Sequence, residues 1–455
     1  MNAAVSDLYR EGVRLAAAGR HFDAIGRLER ALAVEPNNPH VLFALANTAR
    51  ALGLAKQTEV FLRMVLANDP GRLEAVVVLG NFLSSQGRHD EAVTLLQQAL
   101  EANADAPELM LTLGVVYRAA GDENIAETHL RRALDLKPGY ALALGNLASI
   151  LSDRGEYDEA LRLCDRVLAE LPGNAQARLN RAVLHLLTGN FDAGWRDYAA
   201  RLNIPGKTPV ADHGLPAWNG VFRAGMRLLV TGEQGVGDQI MFAGILPDLA
   251  AKADAADARV VVECEPRLVD LFARSFPSLR VCPWSIERRD GTVRAHYDWL
   301  KDAGGADAAV AMGGLPIFLR TRIEDFSAVP SYLRIDAAEK AHWRKAFADL
   351  PRPLTAICWR SGKTGGERAM QYAPLECWAG AIRDLPGTVI CAQYDAEADE
   401  IAALAETGNR PIVVPAGIDQ RCELDRTAAM LAAVDVLVSA PTAVSWLAAA
   451  AGVPT

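Results

Sequence analysis

A carboxylate that closes a run of glycines and opens a helix is placed to take a proton from a bound hydroxyl. Asp238 stands at such a point, ending the run Gly232-Glu-Gln-Gly235-Val-Gly237-Asp238 after the apolar stretch 226–231. Aspartate at this place is equally suited to capping the helix that follows, so base and cap are both open readings. Gln234, Gly235 and Gly237 make the turn one that can approach a ligand with its backbone. The spacing matches neither the dinucleotide pattern GxGxxG nor a Walker loop, because no Gly-Lys-Ser/Thr follows.

A second constellation lies near the other end of the chain. A helix expected from Thr442 offers backbone N–H groups at Ala443 and Val444, the Thr442 hydroxyl, and the positive end of a helix dipole. Those groups suit a phosphate, with Ser439 close enough in sequence to assist. Arg360, Lys363 and Arg368 share one loop with Gly362, Gly365 and Gly366 and could supply cationic charge, although each alone reads equally as a solvated surface residue. Gln393 could hydrogen-bond a nucleotide. No carboxylate pair or histidine cluster has the spacing of metal ligands, so no metal is expected.

These residues need strands and helices to hold them. From residue 226 the pattern alternates: a strand to 231, a helix over 239–253, a strand at 259–264, a helix at 266–276 and a strand at 279–282. Residues 285–335 carry no clear pattern. A second series begins near 354 with a strand to 359, a polar loop to 372 and a helix over 374–384 that opens with proline. It continues with a strand at 388–391, a helix at 397–407, a strand at 411–414, a helix capped by Asp425, a buried strand at 434–439 and a helix at 442–451. This order implies two α/β units with parallel sheets and ligands at the carboxyl ends of their strands.

The first 205 residues differ. Glycines fall at 19, 53, 87, 121, 155 and 189, a constant interval of 34. Pro36, Pro70, Pro138 and Pro172 keep the same lattice, as do the small residues Ala24, Thr58, Ala92, Ala126, Ala160 and Gly194. Leu28, Leu62, Leu96, Leu130 and Cys164 add a fourth series. The physical reading is a stack of helix pairs, glycine making each turn and a small residue letting two backbones approach. The period and residues resemble the tetratricopeptide repeat, an α-solenoid, with five full units and a degenerate sixth. On its concave face Asn47 and Asn81 are in register, as are Asn146 and Asn180, while Arg50 and Arg118 share a third position. Such carboxamides could hold a polypeptide backbone as an acceptor-binding ladder, or be ordinary solvated positions. Residues 206–225, rich in proline and glycine, read as a linker, with Trp218 and Phe222 packing at a domain edge.

Composition sets limits on both halves. With 455 residues the chain is long enough for two or three domains, and 51% apolar residues can build their cores. A net charge of −9 argues against a general nucleic-acid or anionic-membrane partner. Seven scattered cysteines without a CxxC fit buried thiols in a reducing cytoplasm. Asp7, Arg10 and Glu11 interrupt any signal-peptide core, and the apolar stretch 427–453 is broken by Asp435 and Pro441, so no membrane span is expected.

Four stretches together resemble the heptosyltransferase-like glycosyltransferases of GT-B fold. They are Gly235-x-Gly237-Asp238, then Trp359-Arg360-Ser361-Gly362 with Pro374-Leu375-Glu376-x-Trp378, then Gln393, and Asp435-Val-Leu-Val-Ser439-Ala-Pro-Thr442. The resemblance implies two lobes, 226–340 and 341–455, with a nucleotide-sugar between them and Asp238 as the base of an inverting, metal-independent transfer. The fusion to repeats is similar to bacterial protein O-glycosyltransferases, including those that modify flagellin. It implies a serine or threonine acceptor, and a CMP-activated nonulosonic acid as one donor. Pro441 and Trp446 stand where that family has an aspartate and a histidine at the phosphate turn. That departure supports the alternative of a non-catalytic adaptor or chaperone with a degenerate transferase domain. Gly-Val-Pro-Thr should lead into a further strand and helix, so the last lobe is expected to be incomplete at Thr455.

Overall fold

The computed structural model describes residues 2–204, 208–289, 292–326, 331–362 and 372–455. These divide into two compact units, Met1–Leu184 and His185–Thr455.

The first unit is built from helix pairs. α1 (Ala3–Ala17) and α2 (His21–Val34) are followed by α3 (Pro39–Ala51) with α4 (Ala55–Asn68) and by α5 (Leu73–Ser85) with α6 (His89–Ala102). Next come α7 (Pro107–Ala120) with α8 (Glu123–Leu136), α9 (Ala141–Asp153) with α10 (Tyr157–Glu170), and α11 (Ala175–Leu187). All six lattice glycines adopt φ between +71° and +93°, the left-handed conformation that ends a helix and reverses the chain. The leucine series is fully buried, and the structure supplies its partner on the first helix of each pair. A methyl group on Gly12, Gly80 or Gly114 would lie 2.7, 3.0 or 2.7 Å from Leu28, Leu96 or Leu130. Each leucine thus fills the space that a missing side chain leaves on the facing helix.

The division between units falls before residue 205. The second helix of the sixth pair, α12 (Phe191–Tyr198), and the helical turn Ala199–Asn203 belong to the second unit. The stretch expected as a linker is also part of that unit, as far as it is described. β1 (Val210–Ala211) is a strand, Trp218 N–H donates to Ala309 O at 2.8 Å, and Ala309 N–H donates to Pro216 O at 2.9 Å. Trp218 is buried between Phe222 and Phe318, with ring centroids 4.9 and 5.0 Å away. The gain from burying that indole outweighs the flexibility that proline and glycine suggested.

After β1 come β2 (Arg227–Thr231), α13 (Val236–Ala243), α14 (Leu246–Ala255), β3 (Arg259–Cys264), α15 (Val269–Ser275) and β4 (Arg280–Pro283). Pro247 divides the single helix expected at 239–253, since it has no N–H to donate to the preceding turn. The unpatterned region holds β5 (Ile286–Arg289), β6 (Thr292–Ala295), α16 (Trp299–Asp302), β7 (Ala308–Ala311) and α17 (Pro316–Leu319). Then follow α18 (Ala337–Ala346), β8 (Leu354–Cys358), α19 (Leu375–Arg383), β9 (Thr388–Cys391), α20 (Ala398–Thr407) and β10 (Ile412–Val413). α21 (Leu424–Leu431), β11 (Val436–Ser439) and α22 (Ala443–Ala450) complete the order. Asp425 is not the cap of α21: Glu423 holds that position, and Asp425 pairs with Arg274, 2.9 Å from its Nη1.

Both expected α/β units are present as parallel sheets, in the orders β4-β3-β2-β7 and β10-β9-β8-β11. In each sheet the first strand lies beside the fourth, so successive crossovers leave it in opposite directions. That reversal opens a crevice at the carboxyl ends of β2 and β7, and another at those of β8 and β11. A small separate sheet has the order β1-β6-β5. One continuous apolar core runs through both large sheets, from Leu228 and Val230 to Leu354, Ala356 and Leu437.

Candidate functional site

The glycine run leaves β2 at the first of these crevices. Gly232 N–H donates to Glu263 Oε2 at 3.0 Å, and a methyl group here would lie 3.1 Å from Glu263 O and from Trp284. Glu233 turns inward and is 4% exposed. Gln234 takes φ +59° and donates from Nε2 to the Tyr198 hydroxyl at 3.1 Å. Burial raises the Tyr198 pKa, against the smaller opposing effects of the Gln234 bond and the Arg201 charge. Gln239 ties the turn down from behind, donating to Glu233 O at 3.3 Å and accepting from Glu265 N–H at 2.8 Å.

Asp238 is the third residue of α13, and Gly235 is its cap. The Asp238 Oδ2 accepts the Gly235 N–H at 3.1 Å, so the carboxylate satisfies one of the free donors at the start of the helix. The side chain is half-buried. It therefore serves a cap from inside the first turn, and remains at the carboxyl edge of the sheet.

The second crevice is lined from β8 and β11. Gln393, 3% exposed, accepts through Oε1 from Trp359 N–H at 3.0 Å and Arg360 N–H at 2.9 Å. Its Nε2 donates to Tyr394 O at 2.8 Å, so the amide expected to face a nucleotide is spent on the backbone of the β8 exit. Arg360 forks onto Glu400 at 2.7 and 2.6 Å and donates to Asp395 O at 2.9 Å. That fork holds the Glu400 pKa below the usual carboxylate range. Thr442 caps α22 and is buried, its hydroxyl 3.6 Å from Cys358 Sγ and 3.4 Å from Ser439 Oγ, while Ser445 Oγ accepts its N–H at 3.2 Å. Ser439 Oγ donates to Ala440 O at 2.6 Å.

The two turns meet. Gly237 packs on Ala443, where a methyl group would lie 3.3 Å from Ala443 Cα, and Val444 is buried next to it. The structure thus brings together Gln234, Gly235, Gly237 and Asp238 at one crevice and Arg360, Gln393, Ser439, Thr442, Ala443 and Val444 at the other, with the two helix starts in contact. Lys363 and Arg368 lie outside the described residues.

In the first unit a groove of about 860 Å³ is lined from α5, α7 and α9, by Asn81 and Asn146 together with the apolar Val77, Leu111 and Val115. Asn47 is half-buried on α3 and is not among the residues that line it. Asn146 Nδ2 donates to Leu142 O at 2.8 Å, and Asn180 accepts from Gln176 at 2.8 Å, so these carboxamides are partly used within their helices. Arg118 pairs with Asp153 at 2.9 Å, and Arg50 is exposed.

Tyr198, Arg201, Glu233 and Glu263 shape the first turn and were not among the residues chosen from sequence. The closely spaced aromatics Phe191, Trp195 and Tyr198, next to Arg201, are the sequence signal that could have pointed to them. Among the described residues no group of three or more His, Cys, Asp or Glu could hold a metal, and no helix is long and apolar enough to cross a membrane.

Comparison with known proteins agrees with the first unit. Tetratricopeptide-repeat models match residues 71–138 in one case and 15–79, 117–170 and 151–194 in another. Protein FlbA of Caulobacter vibrioides is 33% identical over 325 residues, covering 70% of this chain and 54% of FlbA. The chain thus spans about half the length of that curated relative, and the match is too long to be confined to the repeats. Among solved structures, a thermophilic TPR protein of Thermus thermophilus, TTC0263, is 30% identical, with TM-score 0.36, covering 40% of this chain and 100% of that one. PilF of Pseudomonas aeruginosa is 21% identical, with TM-score 0.38, covering 44% and 90%. The N-terminal part of this chain is a tetratricopeptide-repeat solenoid, followed by an α/β unit with two parallel sheets.

Proposed function

We propose that the chain is an inverting, metal-independent glycosyltransferase of GT-B type, acting in the cytoplasm. It moves a sugar from a nucleotide-sugar to serine or threonine of a protein held by the repeats, with flagellin the first acceptor to test. The observation that carries this reading is the meeting of α13 and α22 at Gly237 and Ala443, each helix starting from the switch-point crevice of a parallel sheet. Asp238 takes the proton of the acceptor hydroxyl as its oxygen bonds to the anomeric carbon. The bond from that carbon to the phosphate oxygen breaks, and its electron pair leaves on the phosphate. Backbone N–H groups at the start of α22, with the Thr442 hydroxyl, offset the developing negative charge. A CMP-activated nonulosonic acid is the donor class to try first.

The test is intact-protein mass spectrometry of flagellin co-expressed with the chain and a nonulosonic-acid supply. A discrete mass gain with wild type, abolished by Asp238→Asn, supports the reading. Asparagine still accepts the Gly235 N–H but takes no proton. An unchanged gain with Asp238→Asn removes Asp238 as base.

A second reading, a repeat adaptor or chaperone with a degenerate transferase domain, is favoured by two specific features. Arg360, needed for a donor clamp, is already committed to Glu400, and Pro441 and Trp446 occupy the phosphate turn. Acceptor that co-purifies with the chain but never gains mass selects this alternative.

A further inference from the structure

Arg201 enters the first crevice from the helical turn that follows α12. Its side chain is 2% exposed and that of Glu233 is 4% exposed. Nε donates to Glu233 Oε2 at 2.9 Å, Nη2 donates to Oε1, and Nη1 donates to Tyr198 O at 2.9 Å. The guanidinium also stacks 4.4 Å from the centre of the Tyr198 ring. All three nitrogens of the guanidinium are engaged by the protein.

The carboxylate does more than neutralise it. Glu233 Oε1 also accepts the Gly313 N–H at 2.7 Å. Gly313 follows β7 and Glu233 follows β2, so the pair bridges the two turns that border the switch point. A methyl group at 313 would lie 2.9 Å from both Arg201 Nη2 and Glu233 Oε1, which leaves space for glycine alone. Tyr198 meanwhile holds Gln234 in its left-handed conformation through the 3.1 Å bond. α12 itself packs on α13 through Trp195 and Tyr198, both against Phe242.

A buried ion pair is a poor way to gain stability, since desolvation offsets most of its attraction. Its strength is directional: a forked guanidinium fixes a carboxylate in position and in plane. The place of this pair, at a turn and not within a sheet, suits that use. We propose that Arg201 is the positioning residue of the glycine turn, fixing Glu233 so that Gly235 to Asp238 start α13 where it meets Ala443. Resting on the glycosyltransferase reading, the sixth repeat's last helical segment then sets the activity of Asp238 without touching substrate.

The test uses the full chain and two variants, Arg201→Lys and the charge-neutral double variant Arg201→Met with Glu233→Gln. The double variant avoids a lone buried charge and keeps an acceptor for Gly313. Hydrogen exchange followed by mass spectrometry reads the amides of Gly232, Gly235 and Gly313, and the flagellin assay reads kcat and the donor KM. Both variants are expected to raise exchange at these three amides at least tenfold while peptides from β8 and β9 stay within twofold of wild type. Turnover is expected to fall at least tenfold with the donor KM within about threefold. Wild-type exchange at the turn in either folded variant overturns the proposal. So does exchange that rises equally throughout the second unit, which would make the pair an ordinary part of the core. If wild type itself transfers no sugar, the glycosyltransferase reading fails, while the exchange result still decides the role of Arg201.

Discussion

Gly237 on α13 lies against Ala443 on α22, so close that a methyl group on the glycine would stand 3.3 Å from Ala443 Cα and 3.4 Å from the Trp446 ring. The contact joins the first turns of two helices that belong to different sheets. Backbone on one side cannot give way as a flexible side chain would. Gly237→Val should therefore force the helices apart and lower stability by about 1–3 kcal/mol. Urea unfolding monitored by far-UV circular dichroism checks this, and a variant as stable as wild type would show that the contact is loose.

Glu263 gives the second unit a pH dependence of known sign. Its side chain is fully buried on β3, with Oε2 holding Gly232 N–H and the Tyr297 hydroxyl facing the carboxylate. Burial pushes its pKa from an ordinary 4.5 up to about 7, against the smaller opposing effects of the Gly232 N–H and the Tyr297 hydroxyl. The folded state thus binds a proton that the unfolded state has already released between these values. Stability should fall as pH rises from 4.5 to 7, by up to about 3 kcal/mol, and level off above. Glu263→Gln keeps the acceptor for Gly232 and should remove this part of the slope. Unfolding curves for both proteins at pH 5 and 7.5 measure it, and equal slopes would show that Glu263 ionises freely.

In the solenoid, Gly114 faces Leu130 with room for little more than hydrogen, a methyl group there lying 2.7 Å from Leu130 Cγ. Alanine occupies the same lattice position at Ala46 and Ala148, beside Leu62 and Cys164. Gly114→Ala should therefore change stability by less than about 1 kcal/mol, better helix propensity offsetting a small shift of Leu130. Gly114→Leu should cost about 1–3 kcal/mol or more, because two leucines cannot share the site. Thermal unfolding of the two variants should separate them clearly.

Arg360 tests how far its fork with Glu400 is structural. Arg360→Lys keeps the charge but loses the two-point geometry and the bond to Asp395 O. The expected outcome is a stability loss of roughly 1–3 kcal/mol, with the affinity for CMP, measured by calorimetry, changed less than threefold. A larger loss of CMP affinity at unchanged stability would return Arg360 to the donor clamp.

Much of the architecture is written in local patterns. Six glycines at one interval specify six helix turns, because only glycine takes the left-handed conformation at no steric cost, and each does so. Strands at 259–264 and 388–391 stand where runs of valine, isoleucine and cysteine placed them. The start of α22 is likewise legible, since Thr442 caps it, whereas α13 begins at Val236, three residues before the helix expected from 239, because Gly235 and not Asp238 is its cap.

What sequence could not assign is the use each polar group finds. Gln393, Arg360 and Asp238 carry the right chemistry for a ligand, yet folding gives Gln393 the backbone of the β8 exit, Arg360 the Glu400 carboxylate and Asp238 the Gly235 N–H. Arg201 and Glu233 are 32 residues apart with no motif between them, and become partners only when α12 settles against α13. The physical reason is that a periodic pattern reports what a residue does to its own backbone and neighbouring turn. A buried polar side chain must instead be satisfied by whatever the fold brings within about 3 Å, and that choice is made by tertiary structure.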